Sequence, residues 1–129
     1  MRLLIVEDNL GVRALIKRAM AGLGAEFVEC SDGAEAVAAY IAERPDFVLM
    51  DIEMPTMDGI TATRRIIAAD PSARIIIVTN YDQPSLREAA RDAGACGYAL
   101  KENLLAVREL IGERQRQLSS NNQPPGESR

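Results

Sequence analysis

Five short apolar runs alternate with five segments of helical periodicity, and that alternation limits the fold more than any other feature. Four runs are continuous: residues 3–6 (LLIV), 47–50 (FVLM), 75–78 (IIIV) and 98–100 (YAL). A weaker one covers 26–30 (EFVEC). Runs so short and unbroken suit strands buried on both faces, as in a parallel sheet. Between them, Val12, Leu15, Ile16, Ala19 and Leu23 recur at helical spacing, with Gly24 expected as the cap. Ala36, Val37, Tyr40 and Ile41 mark a second helix ending before Pro45. Asp58 reads as the N-cap of a third, through Ile60, Thr63, Ile66 and Ile67 and stopped before Pro71. Leu86, Ala89, Ala90 and Ala93 give a fourth, capped by Gly94, whose alanine-rich face should hold it loosely. Leu104, Val107, Leu110 and Ile111 give the fifth.

Strand-helix alternation predicts an α/β fold: a doubly wound parallel sheet with helices on both faces and right-handed crossovers. Of the two doubly wound solutions, Rossmann and flavodoxin-like, five units favour the flavodoxin-like order 2-1-3-4-5, with five helices. One domain over residues 1–116 is expected, with 117–129 a polar disordered tail or the start of a linker, since Pro124-Pro125-Gly126 and its neighbours carry nothing to pack. Leu104, Ile111 and Leu118 also repeat every seven residues, which would let the last helix reach toward a partner. The preferred reading packs only Leu104 to Ile111 on the sheet.

Several classes of function fall away. A net charge of −4 argues against direct DNA binding, which leaves a basic footprint. No run approaches the roughly 20 apolar residues of a membrane span, and Glu7-Asp8 ends the first apolar run too early for a signal peptide, so the cytoplasm is the expected location. The absence of histidine removes the usual zinc sites and Ser-His-Asp triads. Cys30 and Cys96 would sit on opposite edge strands, roughly 19 Å apart at about 4.8 Å per strand, well beyond the roughly 7 Å that a disulfide tolerates.

Ligands of doubly wound sheets bind at the carboxyl ends of the strands. Glu7 and Asp8 follow the first strand, Asp51 the third, Thr79 and Asn80 the fourth, and Lys101 the fifth. With the first and third strands adjacent, three carboxylates share one small site. Either their pKa values rise or a cation sits among them. An all-oxygen ligand set suits Mg²⁺. Lys101 adds a mobile positive charge and Thr79 a hydroxyl donor. Taken singly, Asp8 or Asp51 could be a helix cap, Thr79 a turn residue and Lys101 a solvated charge. Together they suit phosphoryl transfer to a carboxylate, with cations neutralising the equatorial oxygens.

These stretches resemble the motifs of response-regulator receiver domains in two-component signalling. Residues 4–9 (LIVEDN) resemble the opening acidic pair, and 48–59 (VLMDIEMPTMDG) the phospho-acceptor strand and following turn. Residues 76–79 (IIVT) and 97–101 (GYALK) resemble the switch threonine, switch aromatic and lysine strands. The likeness covers residues 1–112. It implies that Asp51 is phosphorylated by a sensor histidine kinase or a phosphotransfer protein. It implies that Asp8, Asp51 and the Glu53 backbone carbonyl ligate Mg²⁺, with Glu7 acting through water, and that Thr79, Tyr98 and Lys101 bind the phosphoryl group and switch. Glu53 and Tyr81 stand where the family varies and would tune the phosphoryl lifetime. The output would be a protein target, or a homodimer, met through the fourth helix, fifth strand and fifth helix, so the chain is a switch and not an enzyme. Glu102, where many members carry proline, resembles receivers coupled to LuxR-type helix-turn-helix outputs.

Three other readings compete. A haloacid-dehalogenase-like phosphatase also uses an aspartate nucleophile with Mg²⁺, but would need an aspartate where Glu53 stands. An unphosphorylated receiver-like scaffold would lack an acid, the acceptor or the lysine, and all are present. A flavin module would want a Ser/Thr/Gly-rich phosphate loop after the first strand, where Glu7-Asp8 would repel the phosphate.

Overall fold

A computed structural model describes the backbone of residues 1–121 and the side chains of residues 1–117. The order is β1 (Arg2–Val6), α1 (Leu10–Ala19), β2 (Glu26–Cys30), α2 (Gly33–Glu43), β3 (Phe47–Met50), α3 (Gly59–Ala69), β4 (Ile75–Thr79), α4 (Pro84–Ala93), β5 (Gly97–Leu100) and α5 (Leu104–Asn121). All strand pairings are parallel, in the order β2-β1-β3-β4-β5. This is the flavodoxin-like arrangement that the alternation predicts.

Strand side chains alternate between faces, and two cores result. Leu4, Val6, Val48, Met50, Ile75 and Ile77 pack against α2, α3 and α4. Leu3, Ile5, Leu49, Ile76 and Val78 pack against Ile16 and Met20 of α1 and its continuation, and against Val107 and Ile111 of α5. The three central strands are buried along both faces, which is why their sequences read as unbroken apolar runs. Each fully buried large side chain contributes roughly 1.5–3 kcal/mol. The edge strand β2 is half exposed and its sequence is correspondingly mixed.

The helix ends depart from expectation in one place. The first helix stops at Ala19, five residues before Gly24. Tight three-residue turns follow, from Ala21 N–H to the Arg18 carbonyl and from Leu23 N–H to the Met20 carbonyl. Arg108 of α5 takes the freed carbonyls of Ala19 and Ala21 at 3.1 and 2.6 Å. The helix is thus capped from outside by a side chain 87 or more residues away, while Leu23 keeps its core contact. At the end of α2, Arg44 adopts the left-handed conformation with φ +47, its N–H donates to the Tyr40 carbonyl at 2.9 Å, and Pro45 disfavours a further helical residue there. Asp58 caps α3 as expected, accepting from Thr61 N–H at 2.9 Å.

The backbone of α5 stays helical to Asn121, past the 116/117 boundary. Leu118 falls among the side chains that are not described, and of the tail expected at 117–129, residues 122–129 lie outside the described residues. No helix among the described residues is long and apolar enough to cross a membrane. Cys30 and Cys96 are both free thiols, and burial raises the pKa of each.

Candidate functional site

The carboxyl ends of β1, β3, β4 and β5 converge on one small polar site. The sheet continues for one residue beyond its strands there. Glu7 N–H donates to the Cys30 carbonyl at 3.0 Å, Asp51 N–H to Val6 at 3.0 Å, and Lys101 N–H to Thr79 at 2.8 Å. The ladder therefore fixes the backbone from which each functional side chain springs. Glu7, Asp51 and Thr79 are buried, Lys101 is half-buried and Asp8 is exposed at the rim.

Glu7, Asp8 and Asp51 each offer a carboxylate oxygen, and these oxygens lie within 4.8 Å of one another. Lys101 Nζ reaches across to Glu7 Oε1 at 2.8 Å and Asp51 Oδ2 at 3.2 Å. Asp51 Oδ1 accepts from Ile52 N–H at 2.8 Å, and Glu7 Oε2 from Asn9 N–H at 3.1 Å. Glu7 Oε1 is fully buried, with the Lys101 ammonium against it at 2.8 Å.

The electrostatics follow from this crowding. Burial, then the charge of Glu7, push the Asp51 pKa up to about 6, against the pull of Lys101. Burial alone would lower the Lys101 pKa, but Glu7 and Asp51 outweigh it and hold the ammonium above its ordinary value. One lysine does not balance three acids. Three carboxylate oxygens within 4.8 Å of one another, with a single ammonium among them, fit a divalent cation with oxygen ligands.

The segment after Asp51 forms the outer wall. Gly59 N–H closes it on the Ile52 carbonyl at 2.8 Å, and Gly59 must be glycine because a Cβ there would overlap the Asp51 carbonyl. Asp8, Ile52, Glu53, Met54, Pro55 and Asp58 line an open cleft of about 350 Å³. Above it, the Tyr81 hydroxyl donates to the exposed Glu53 carboxylate, and that bond raises the Tyr81 pKa. Tyr81 N–H meets Thr79 Oγ1 at 3.3 Å, and the Tyr98 hydroxyl donates to the Tyr81 carbonyl at 2.6 Å. The Arg87 guanidinium lies 4.6 Å from the Tyr98 ring centre. The structure thus brings Glu7, Asp8, Asp51 and Lys101 together, and links Thr79, Tyr81, Glu53 and Tyr98 to one another beside them.

Residues 3–111 match the family of response regulator receiver domains. The chain belongs to that family. It is 38% identical over 124 residues to the transcriptional regulatory protein PdtaR of Mycobacterium tuberculosis, covering 92% of this chain and 60% of PdtaR. It thus spans about 60% of the length of that relative. It is 44% identical over 101 residues to the chemotaxis protein CheY of Bacillus subtilis, covering 78% and 84% of the two chains. A chain of the CheX–CheY–BeF₃–Mg²⁺ complex from Borrelia burgdorferi has the same fold, with a TM-score of 0.81, 28% identity, and 86% of each chain covered. The chain is thus a receiver domain of the two-component response-regulator type.

Two residues at the site carry no motif that sequence reading singled out. Arg13 of α1 holds the Glu7 carbonyl through Nη2 at 2.7 Å and Nε at 3.2 Å, and Ser31 Oγ at 2.9 Å. Asp32 caps α2 through Ala34 N–H at 2.9 Å and also accepts from the Thr56 and Met57 amides. The Asp-Gly pair before the second helix was the available signal for Asp32. Its reach to a loop 24 residues on leaves no trace in the sequence.

Proposed function

We propose that this domain is a phospho-acceptor switch. A carboxylate oxygen of Asp51 attacks the phosphorus of a phosphohistidine on a sensor kinase or phosphotransfer protein. The new P–O bond forms as the P–N bond breaks, and the imidazole leaves. Asp8, Asp51 and the Glu53 carbonyl would hold Mg²⁺, with Glu7 acting through water, and the ion would supply charge neutralisation at the phosphoryl oxygens. Lys101 moves its ammonium from Glu7 and Asp51 onto a phosphoryl oxygen, and Thr79 donates its hydroxyl to another. Tyr98 then follows Thr79, and the α4/β5/α5 face changes shape for a downstream protein or a second copy of the chain. The switch operates in the cytoplasm, without direct DNA contact by these residues, and residues 1–116 suffice for it.

The observation that carries this reading is the buried Asp51 carboxylate, facing Lys101 at 3.2 Å with Glu7 and Asp8 alongside. The full acid, acceptor and lysine set weighs against a silent scaffold. Acetyl phosphate with Mg²⁺ tests it: one phosphoryl mass should appear on the wild type, labile to hydroxylamine, and none on Asp51→Asn. Equal labelling of the two proteins refutes the assignment.

A further inference from the structure

The outer wall of the site is pinned at two points. Its base is the Gly59-to-Ile52 hydrogen bond. Its far limb is gripped from the start of α2. Asp32 Oδ2 accepts from Thr56 N–H at 2.7 Å, and Oδ1 from Met57 N–H at 3.1 Å. The next residue, Gly33, lets the two segments touch, since a Cβ there would lie 2.5 Å from the Met57 oxygen and 3.2 Å from the Asp58 oxygen. Only Glu53, Met54 and Pro55 remain between base and grip, and the proline fixes one of their φ angles at about −65°.

Capping alone does not require this carboxylate. Asn or Ser caps a helix as well as Asp does. What Asp32 adds is a second oxygen and the reach to serve three amides at once, Ala34 from its own helix and two from the wall. Asn in its place could still serve Ala34 and Met57 through Oδ1, but would turn an NH₂ group toward the Thr56 N–H. Ser could serve Ala34 only.

We propose that Asp32 is a positioning residue for the metal: by tethering the Thr56 and Met57 amides it holds the 53–55 segment in the shape that binds Mg²⁺. This rests on the Mg²⁺-dependent reading above. Groups that orient a ligand without touching the ion commonly govern affinity by one to two powers of ten, and here the tethered ligand is a short backbone segment whose far limb is held by the two Asp32 bonds.

The test is Mg²⁺ titration followed by amide NMR on wild type, Asp32→Asn and Asp32→Ser, with Asp70→Ala as control. Asp70 also accepts several hydrogen bonds, from Tyr40 and Ser72, but it follows α3 at the opposite end of the sheet. Both Asp32 variants should weaken Mg²⁺ about tenfold while folded, and Asp70→Ala should lower the melting temperature with Mg²⁺ affinity unchanged. Gly33→Ala is an independent arm, since its Cβ displaces the Met57 carbonyl with Asp32 intact, and it should weaken Mg²⁺ too. Unchanged affinity in the folded Asp32 variants, or an equal loss in Asp70→Ala, overturns the proposal. A wild type that binds no Mg²⁺ overturns the parent reading, and shows itself before any variant is made.

Discussion

The Tyr98 hydroxyl donates to the Tyr81 carbonyl oxygen at 2.6 Å, and the amide of the same Tyr81 meets Thr79 Oγ1 at 3.3 Å. One residue thus joins the fully buried threonine of β4 to the half-buried tyrosine of β5. If Thr79 turns its hydroxyl to a phosphoryl oxygen, Tyr81 loses an acceptor and the carbonyl that anchors Tyr98 is free to shift. The neighbouring surface can yield: α4 presents Ala90 and lies beside a cavity of about 290 Å³ shared with Ala95, Gly97 and Tyr98. Phosphorylation then acts by favouring one of two packings.

Tyr98→Phe tests this coupling. The ring and its Arg87 contact stay, and only the hydrogen bond goes. Urea unfolding should show a loss of about 1 kcal/mol, the usual worth of one such bond. Adding beryllofluoride and Mg²⁺ to the wild type should shift amide resonances of Tyr98 and α4. In Tyr98→Phe the α4 shifts should shrink. Shifts confined to the strand ends in the wild type would count against the switch.

The raised pKa of Asp51 gives a pH dependence with a definite sign. Its folded value of about 6 exceeds the unfolded value of about 3.9. The metal-free native state therefore binds this proton more tightly than the unfolded chain, and loses stability as pH rises from roughly 4 to 6. Asp51→Asn, which carries no charge, should be more stable than wild type in metal-free buffer at pH 8. Mg²⁺ must displace the same proton, so its affinity should fall about tenfold per pH unit below about pH 6. Calorimetric titrations at pH 5 and pH 8 that give equal affinity would remove Asp51 from the metal site.

Lys101→Ala leaves the buried Glu7 and Asp51 facing each other without a counter-charge. Breaking such a contact costs several kcal/mol when the remaining charge has no escape. Here Asp51 can take up a proton, so a loss of about 3 kcal/mol is an upper figure. Mg²⁺ should restore part of it. Denaturant melts with and without Mg²⁺ measure both effects, and an unaltered melt without metal would show that the ammonium is a bystander.

The fold was legible because the central strands are buried on both faces, which their unbroken apolar sequences record. The site was legible because each acid, Thr79 and Lys101 directly follows or ends such a run, and parallel topology brings those ends together. The end of α1 was not, because its cap is Arg108, a long-range partner that makes Gly24 unnecessary as a terminator. Asp32 escaped for a related reason. Its local signal is that of an ordinary N-cap, and the tie to Thr56 and Met57 exists only once α2 and the β3–α3 loop are packed.

The Tyr81 hydroxyl bonds the Glu53 carboxylate and so links the segments after β4 and β3, which predicts a direction for their effect on the phosphoryl group. Hydrolysis of an aspartyl phosphate needs a water aligned with the Asp51–phosphorus bond, and an aromatic ring held across the opening hinders its approach. The Glu53 carboxylate fixes the ring there by accepting its hydroxyl. Tyr81→Ala should therefore shorten the phosphoryl half-life severalfold, measured by loss of the phosphoryl mass after the donor is removed. Tyr81→Phe and Glu53→Ala, which release the ring but leave it in place, should shorten it less. A half-life that lengthens in Tyr81→Ala would mean that the tyrosine assists water and does not exclude it. No change in any of the three would leave both residues outside the chemistry.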